Sequence, residues 1–299
     1  MESTGARLNL VVGIATAGRR EVLTATIAHL AAQSRLPDAL IVCPATADDL
    51  DPSCLTQFPA PAYAVSGGRG SCAQRNAILD AAGEADVVIF FDDDFLPAVS
   101  FLEVVERLFV ERTDIVVATG QVLADGIHGP GLTAAYAKSV LAADVPPAKG
   151  TLSPAYNAYG CNMVFRMAPI RAGHVRFDET MPLYGWQEDV DFCRRLAPAG
   201  AIVHYDGLRG VHMGAKRGRS PGVRLGYSQI ANPLYLVGKG TVSWRWALNL
   251  MSRNCAANIA GSLRPQALVD RRGRFKGNLM ALGDLLAHRL TPQRVLTIK

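Results

Sequence analysis

The first part of the chain alternates short apolar runs with longer segments in which apolar residues recur at helical spacing. Residues 8–15 form a continuous apolar run rich in β-branched side chains, which predicts a strand buried on both faces. Residues 21–33 predict a helix, and residues 39–43 predict a second buried strand. This order predicts a βαβ unit whose first loop lies at the carboxyl edge of a parallel sheet, where open α/β sheets bind ligands.

The same alternation continues along the chain. Residues 86–91 predict a third buried strand, and a helix over 100–111 and a strand over 114–119 follow it. The stretch 120–155 is rich in glycine and proline and predicts a loop or an insertion. After this stretch the sequence predicts a strand at 159–166, a helix that ends at 196, and short strands at 202–205 and 211–213.

Composition and charge divide the chain into two parts. Of the 299 residues, 49% are hydrophobic and 19% are charged, which excludes a disordered, collagen-like or coiled-coil chain. Residues 239–299 carry eleven lysines and arginines against two aspartates, whereas residues 1–238 carry more acids than bases. We therefore predict a body over 1–238 and a basic amphipathic helical tail over 239–299, whose helices are separated by Pro265 and by the basic run 271–276.

The tail interleaves apolar side chains with arginine and lysine, and Trp244 and Trp246 lie near its start. This pattern is typical of a helix that lies on a membrane surface, although a helix that packs on the body has much the same pattern. We favour docking on a membrane surface. Nucleic acid is not an expected partner, because the body has neither a basic groove nor a recognisable nucleic-acid-binding module.

Cysteine spacing and hydropathy bear on the location of the protein. The six cysteines include no CxxC pair, so neither a zinc cage nor a disulfide framework is expected. The apolar stretch 8–17 is too short to span a bilayer and lacks the features of a signal peptide, and no later run is long enough for a transmembrane helix. We expect a cytoplasmic protein that meets the cell membrane, if at all, on its inner face.

Three consecutive aspartates, Asp92, Asp93 and Asp94, directly follow the third predicted strand. Adjacent carboxylates at the end of a buried strand repel one another, and a divalent cation is the natural compensating charge. Mg²⁺ or Mn²⁺ is commonly held by one or two carboxylates together with the phosphates of a substrate. A solvated acidic turn is the alternative interpretation.

Several motifs, taken in order, resemble glycosyltransferase family 2, whose members bind nucleotide sugars with the GT-A fold. The resemblance lies in Thr16-Ala-Gly-Arg-Arg20, Gln74-Arg-Asn76, Phe90-Phe-Asp-Asp-Asp94, Gly160-Cys-Asn-Met163, Trp186-Gln-Glu-Asp189 and His212. It implies an α/β fold of the GT-A type, with a mostly parallel central sheet and helices on both faces, followed here by the basic helical extension. It also implies an inverting, metal-dependent transfer of a sugar from a nucleotide diphosphate.

The resemblance implies a role for each residue of the acidic turn. Asp94 is the expected metal ligand, and Asp92 and Asp93 are expected nearer the sugar and the ribose. His212 matches the family's carboxy-terminal histidine, which completes the metal or diphosphate site. The expected cofactor is Mn²⁺ or Mg²⁺, which stabilises the charge of the departing diphosphate. For His212, a histidine of the core is the alternative interpretation.

Glu188 and Asp189 resemble the family's acidic pair, and Asp189 falls where the catalytic base is expected. An inverting transfer needs a carboxylate that takes a proton from the acceptor hydroxyl on the face opposite the leaving group. Trp186 is expected to provide a stacking surface for a sugar ring. The alternative interpretation is an acidic helix start, which the helix dipole favours.

Thr16, Arg20, Arg75 and Asn76 resemble the segments that contact the nucleotide in the family. Family members often carry an acid after the second strand to read the base, and this chain has Pro44-Ala-Thr-Ala-Asp-Asp49 there, so Asp48 or Asp49 is the expected substitute. The basic loop Lys216-Arg-Gly-Arg219 either closes over the diphosphate or is a solvated charge run.

The sequence thus predicts a glycosyltransferase that uses a nucleotide-diphosphate sugar and a glycan or lipid-linked acceptor, in cell-surface polysaccharide assembly. Two other classes stay open. A nucleotidyltransferase also uses a strand-end aspartate cluster with Mg²⁺, although the first loop lacks the lysine expected of that class. A catalytically silent scaffold subunit would keep the fold and lose the base, whereas Asp189 is present.

Overall fold

The structure is a computed structural model that describes residues 7–216, 220–264 and 268–298. Its contacts group the chain into two compact units. The sheet unit comprises Met1–Gly68, Gln74–Arg176 and Arg195–Gly218, and the helical unit comprises Arg69–Ala73, Phe177–Arg194 and Arg219–Lys299. The predicted boundary after residue 238 stays a prediction.

Within the described residues, nine strands form one sheet in the order β3-β2-β1-β4-β8-β6-β9-β5, and β7 also pairs with β9. The strands are β1 (Leu10–Thr16), β2 (Ala39–Pro44), β3 (Ala62–Ala64), β4 (Val87–Asp92), β5 (Phe95–Pro97), β6 (Ile115–Asp125), β7 (Leu152–Pro154), β8 (Asn162–Arg166) and β9 (Ala201–His212).

The sheet is mixed and mostly parallel, as predicted. Strands β1, β2, β3, β4, β6 and β9 run in one direction, and β5, β7 and β8 run in the opposite direction. The carboxyl ends of parallel strands meet at one edge of a sheet. Thr16, Asp92, Asp125 and His212 are the last residues of β1, β4, β6 and β9, so they all lie at that edge.

The helices are α1 (Arg20–Leu30), α2 (Ser53–Thr56), α3 (Ser71–Ala82), α4 (Phe101–Glu111), α5 (Ala134–Ala143), α6 (Met167–Ala172), α7 (Glu188–Leu196), α8 (Gly222–Lys239), α9 (Trp244–Leu263) and α10 (Arg271–Leu286). Short 3₁₀ turns occupy Ala47–Asp49, Gly126–His128, Ala197–Ala199 and Pro292–Leu296. Among the described residues, no helix combines the length and the apolar character needed to cross a bilayer.

Both faces of the sheet are covered by helices. Val12 and Ile14 belong to the same buried cluster as Leu23 of α1 and Phe101 of α4. Gly13 points to the other face, because successive strand residues alternate. A Cβ added at Gly13 would lie 2.6 Å from Cγ2 of Ile78 in α3, so α3 packs closely on that second face.

Around β6 and β9 the structure differs from the secondary structure predicted from the sequence. The stretch 120–155 contains the end of β6, helix α5 and strand β7. Residues 201–212 form one long strand, where two short pieces around a turn are expected. Its pairing with β6 shifts register between Gly120 and Gln121 and again between Val122 and Ala124. Such bulges absorb extra residues without ending a strand, and the glycines of 206–210 therefore mark irregular pairing and not a turn.

The helical unit is built on α8, α9 and α10, which pack together. The sequence does not predict α8, whose interior contains Pro233, a residue that usually ends a helix. The basic run 271–276 opens α10 and does not separate helices, and Pro265 lies outside the described residues. A Cβ added at Gly277 would lie 2.1 Å from the carbonyl oxygen of Val223, so α10 and α8 approach closely there.

Four side-chain amides join these three helices, and we call them the amide cluster: Gln229, Asn254, Asn258 and Asn278. Gln229 donates to the Asn254 side chain over 2.9 Å, and Asn258 donates to Gln229 and Asn278 over 2.7 and 2.9 Å. Asn278 in turn donates to the carbonyl oxygen of Gly226 over 2.7 Å. Gln229, Asn258 and Asn278 are buried, so these hydrogen bonds satisfy groups that water does not reach.

Candidate functional site

Three side chains of metal-ligand type meet at the carboxyl edge of the sheet. Asp92 ends β4, Asp94 follows two residues later, and His212 ends β9. The ladder between β5 and β9 pairs Phe95 with His212, which brings the histidine beside the aspartate turn. Each of the three offers one ligand atom, and these atoms all lie within 4.8 Å of one another. The structure thus brings together Asp94 and His212, the predicted metal pair, and adds Asp92.

The donor set suits a divalent cation, because carboxylate oxygens with one imidazole nitrogen are typical ligands of such ions. Oδ1 of Asp94 is buried, lies 3.3 Å from Nε2 of His212, and accepts no hydrogen bond from the described residues. Nδ1 of His212 lies 2.9 Å from Oδ1 of Asp125. With the proton on Nδ1, Nε2 is left as a ligand atom, and a carboxylate behind the ring orients it. These residues therefore fit Mn²⁺ or Mg²⁺.

The carboxylates around His212 favour positive charge at this site. Burial alone would lower the pKa of His212, but the hydrogen bond with Asp125 and the close Asp94 carboxylate raise it to about 10. Burial alone would raise the pKa of Asp125, but hydrogen bonds from His212 and from the backbone of Ile127 lower it to about 2. Burial acts in the same way on Asp94, and His212 again brings its pKa below the usual value. Asp94 and Asp125 therefore favour the ionised form beside His212, whereas burial raises the pKa of Asp92 above its usual value.

Asp93 is directed to the first loop. Its Oδ2 accepts a hydrogen bond from Oγ1 of Thr16 over 2.7 Å, and its Oδ1 accepts one from Nη1 of Arg19 over 2.8 Å. Nη1 of Arg19 also lies 3.5 Å from Oδ2 of Asp94. Burial raises the pKa of Asp93 to about 6, although Arg19 and Thr16 act in the opposite direction. Arg19 thus joins the first loop to two of the three aspartates.

The first loop borders a shallow cavity of about 210 Å³, which is lined by Gly18, Arg19, Arg20, Glu21, Val22, Asp48 and Asp49. Gly18 has a φ of 69°, a conformation that glycine adopts without strain, and its N–H donates to Oδ1 of Asp49 over 2.6 Å. The other oxygen of Asp49 accepts hydrogen bonds from Thr46, so this carboxylate shapes the loop. Arg20 is exposed, and its guanidinium lies 3.8 Å from Asp51.

The predicted nucleotide contacts on α3 take up different positions. Nη2 of Arg75 lies 3.4 Å from Oδ1 of Asp92, and the Arg75 side chain is buried. Asn76 is buried as well, and its carbonyl oxygen accepts a hydrogen bond from Arg176 over 3.0 Å. Arg75 therefore reaches the metal-ligand group, whereas the backbone of Asn76 helps to hold α3.

Trp186, Glu188 and Asp189 belong to the helical unit. Trp186 lies in a loop with unusual backbone angles, because Leu183 has a φ of 59° and Gln187 a φ of 76°. Residues with side chains rarely adopt such angles, and strain of this kind persists only where the surroundings enforce it. The carbonyl oxygen of Leu183 accepts from the backbone of Ser71 over 2.7 Å, which is one of those restraints.

Helix α8 supplies further restraints on the segment that carries these residues. Nδ2 of Asn232 donates to the carbonyl oxygen of Trp186 over 2.7 Å. Nζ of Lys239 lies 2.6 Å from Oδ2 of Asp178 and 2.6 Å from Oδ2 of Asp191, and Asp191 is fully buried. A hydrogen bond of 2.8 Å from Tyr235 to Asp178 completes the set. The segment is therefore fixed on both sides of Trp186.

Asp189 lies in the first turn of α7 and is half-buried. The backbone N–H of Val190 donates to its Oδ1 over 2.9 Å. Glu188, the first residue of α7, is buried. A carboxylate at the N-terminus of a helix is stabilised by the helix dipole, and Asp189 occupies such a position.

A scan against protein-family models and a search of curated proteins find no match to this chain. Solved structures do match it. The mannosyltransferase PcManGT from Pyrobaculum calidifontis, in complex with GDP-Man and Mn²⁺, superposes with a TM-score of 0.55 and 15% identity over 97% of this chain and 83% of that chain. S. aureus TarS 1-349 in complex with UDP-GlcNAc also gives a TM-score of 0.55 and 15% identity, over 96% of this chain and 83% of that chain. The chain has the GT-A fold.

A longer S. aureus TarS structure matches with a TM-score of 0.51 and 15% identity over 75% of this chain. This chain spans 40% of that structure, so it covers less than half of the longer TarS. Superpositions of this quality at 15% identity show a shared GT-A fold. They agree with the GT-A topology that the motif order implies.

Within the GT-A fold, two residues beside the aspartate turn are not among the predicted site residues. Arg19 stands next to Arg20 in the sequence, and its contacts with Asp93 and Asp94 depend on which of the two arginines points inward. Asp125 is the last residue of β6, and an acidic residue at the end of a parallel strand is a sequence signal that could have identified it as a site residue. The predicted loop over 216–219 lies mostly outside the described residues, since only Lys216 is described, and its Nζ donates to the carbonyl oxygens of Gly126 and Ile127.

Proposed function

We propose that this chain is a metal-dependent glycosyltransferase that moves a sugar from a nucleotide diphosphate to an acceptor hydroxyl with inversion. The observation that carries the proposal is the group of Asp92, Asp94 and His212 at the carboxyl edge of a GT-A sheet. GT-A structures that match the chain were solved with UDP-GlcNAc, or with GDP-Man and Mn²⁺, bound to those proteins.

Asp94, His212 and Asp92 would hold the cation. When bound, Mn²⁺ or Mg²⁺ supplies positive charge to the two phosphates of the donor, which stabilises the leaving nucleotide diphosphate. Asp125 keeps the ring of His212 oriented through the 2.9 Å contact with Nδ1. The other protein groups have the tasks of binding, orientation and proton transfer.

Nucleotide binding is assigned to the first loop and to α3. Thr16 and Arg20 would contact the base and the ribose beside the shallow cavity, which Arg20 lines. Arg75 and Asn76 would contact the nucleotide from α3, and Asp93 would lie near the sugar and the ribose. Their cationic and hydrogen-bonding groups are of the kind that bind phosphate and hydroxyl oxygens.

Asp189 is proposed as the catalytic base. Its carboxylate would take the proton of the acceptor hydroxyl as the oxygen attacks the anomeric carbon, while the bond from that carbon to the diphosphate breaks. Trp186 would stack on a sugar ring, and Glu188 would contact the substrate next to the base. The acceptor is proposed to be a glycan or a glycolipid in cell-surface polysaccharide assembly, with the protein on the inner face of the membrane.

Thermal unfolding in the presence of nucleotides tests the donor and the metal site together. We would measure the melting temperature with UDP, GDP, dTDP and CDP, each with and without Mn²⁺. A ligand at a hundred times its Kd stabilises the folded state by about 2.7 kcal/mol, which gives a clear rise in melting temperature. We expect a rise with one nucleotide, dependent on Mn²⁺ and lost in Asp94→Ala. Asp114→Ala is the matched control, because Asp114 pairs with Arg112 at an exposed position.

The base is tested separately, in Asp189→Asn. This variant should keep the nucleotide-dependent rise in melting temperature and lose transfer. Transfer that persists in Asp189→Asn would show that another group is the base. An absence of any rise in the wild-type protein would contradict the donor proposal and would favour a silent scaffold subunit.

A further inference from the structure

Helix α10 carries an unusual set of side chains on its exposed side. We call this set the outer face of α10, and it consists of Arg272, Lys276, Leu279, Leu282 and Leu286. The spacings of four, three, three and four residues place all five on one side of the helix. Two basic residues thus lie in the first turns of the face and three leucines in its later turns.

The opposite side of α10 is the one that the fold uses. Gly277, Asn278, Ala281 and Asp284 are buried there. Asn278 donates to the carbonyl oxygen of Gly226 in α8, and Asp284 accepts a hydrogen bond of 3.0 Å from Tyr227 in α8. Packing of α10 on α8 therefore accounts for the buried side and does not account for the outer face.

The leucines of the outer face are exposed to an extent that packing does not explain. Leu279 is 53% exposed, Leu282 is 42% exposed and Leu286 is 82% exposed. A single exposed leucine is common, but the exposed side of a helix in a globular protein is normally polar. Three leucines in consecutive turns form a continuous apolar strip, and such strips mark surfaces that contact a partner.

The charges beside the leucines indicate what the partner is. Arg272 and Lys276 are exposed on the same face, and the face carries no acidic side chain. Asp284 lies on the buried side, where Arg289 pairs with it at 2.6 Å. Two parallel copies of the chain that met through this face would bring bases against bases, and two antiparallel copies would set the bases of each against the leucines of the other. Leucines flanked by bases are instead the pattern of helices that lie in the headgroup region of anionic membranes.

We propose that the outer face of α10 docks on an anionic lipid bilayer, with Leu279, Leu282 and Leu286 inserted among the acyl chains near the surface and Arg272 and Lys276 against lipid phosphates. The helix would lie in the plane of the membrane surface. Binding would depend both on the leucines and on the negative charge of the lipid.

Vesicle co-sedimentation of the full chain tests this surface. One set of vesicles is phosphatidylcholine alone. The other contains about 30% phosphatidylglycerol, so that roughly one lipid in three is anionic. We expect binding to the anionic vesicles, and binding roughly fivefold weaker for each base removed, so Arg272→Gln with Lys276→Gln should weaken it more than tenfold. Leu279→Asn, Leu282→Asn and Leu286→Asn together should lower it by at least about tenfold.

Matched controls separate this face from exposed apolar residues in general. Val99→Asn with Val145→Asn changes two exposed valines of the sheet unit and should leave vesicle binding unchanged. All variants alter exposed side chains, so thermal melts should match the wild-type protein. Equal loss of binding in the valine control would overturn the proposal, as would a wild-type protein that binds neither vesicle.

Sedimentation velocity supplies the remaining comparison. If the wild-type chain self-associates and the leucine variant is monomeric, the face joins copies of the chain and the membrane proposal is wrong. A wild-type protein and a leucine variant of equal mass in solution, with vesicle binding lost only in the variant, support it. Vesicle binding needs neither donor nor metal, so a negative result leaves the proposed transfer reaction untouched.

Discussion

Lys239 is the residue whose removal should damage the helical unit most clearly. Its ammonium group lies 2.6 Å from Asp178 and 2.6 Å from Asp191, and Asp191 is fully buried. In Lys239→Met both carboxylates would face each other without the cation between them. Removing one partner of a buried ion pair costs about 3–5 kcal/mol, because an uncompensated charge is left in the interior. We expect Lys239→Met to lower the free energy of unfolding by an amount in that range.

Urea unfolding followed by tryptophan fluorescence measures this effect selectively. The three tryptophans, Trp186, Trp244 and Trp246, all belong to the helical unit, so their emission reports the unit that contains Lys239. The matched control is Arg112→Met in the sheet unit, where Arg112 and Asp114 form an exposed pair at 2.8 Å. Its unfolding is followed by circular dichroism, because the tryptophans lie outside that unit. Exposed pairs contribute about 0–1 kcal/mol, so the control should be nearly neutral.

A second substitution decides whether charge is the cause. Asp191→Asn in the Lys239→Met background replaces the fully buried carboxylate with a neutral group of similar size, and it should recover part of the lost free energy. A loss for Lys239→Met below 1 kcal/mol would refute the reasoning. No recovery on addition of Asp191→Asn would show that packing of the lysine side chain, and not charge, causes the loss.

Three further predictions concern other parts of the molecule. Asp125→Asn should weaken Mn²⁺ binding about 10–100-fold, as measured by calorimetry, because the ring of His212 loses its orienting carboxylate; unchanged affinity would contradict that role. Burial acts to raise the pKa of Asp178, but hydrogen bonds from Lys239 and Tyr235 lower it to about 2, below the usual value of about 4. The ionised Asp178 therefore contributes its full stabilisation above pH 4, and this stabilisation is lost as the pH falls towards 2. Unfolding curves of the wild-type protein and Asp178→Asn between pH 2 and 5 should therefore converge at the acid end. Gly277→Ala should cost about 1–3 kcal/mol, since its Cβ would lie 2.1 Å from a carbonyl oxygen of α8, and a neutral result in urea unfolding would show that the helices can separate.

The strand-end aspartates and the sheet topology could be predicted because their signals are local. An apolar run followed by Asp92-Asp93-Asp94 needs only strand geometry to place carboxylates at the carboxyl edge. The parallel order of β1, β2 and β4 follows from short connections that include helices. The GT-A fold, which the resemblance implies, is confirmed by the match to solved structures.

The contacts of Arg19 and Asp125 could not be predicted in the same way. Arg19 and Arg20 are neighbours of the same type, and the choice between them depends on the positive φ of Gly18 and on α1 beginning at Arg20. Asp125 becomes a partner of His212 only because β6 continues beyond Gly120 through two register shifts. Such details depend on long-range pairing, which single-sequence periodicity does not contain.

The roles of Trp186, Glu188 and Asp189 stay predictions. The conformation of their segment is held by hydrogen bonds from residues distant in the sequence, chiefly Asn232 and Lys239 on α8. The sequence pattern does not predict α8, so the contacts by which α8 holds this segment could not be predicted from hydrophobic periodicity. The identity of the donor base likewise depends on side-chain positions in the first loop.

The amide cluster has a consequence for anyone who wishes to transplant or redesign the helices of the helical unit. Sliding α10 by one turn along α8 would separate Asn278 from Asn258 and from Gly226, and each buried amide left without a partner costs about 1–3 kcal/mol. Apolar replacements would tolerate such a slide. A graft of α8, α9 and α10 onto another scaffold should therefore carry Gln229, Asn254, Asn258 and Asn278 unchanged, because these side chains select one alignment of the helices from the several that leucine and alanine alone would allow.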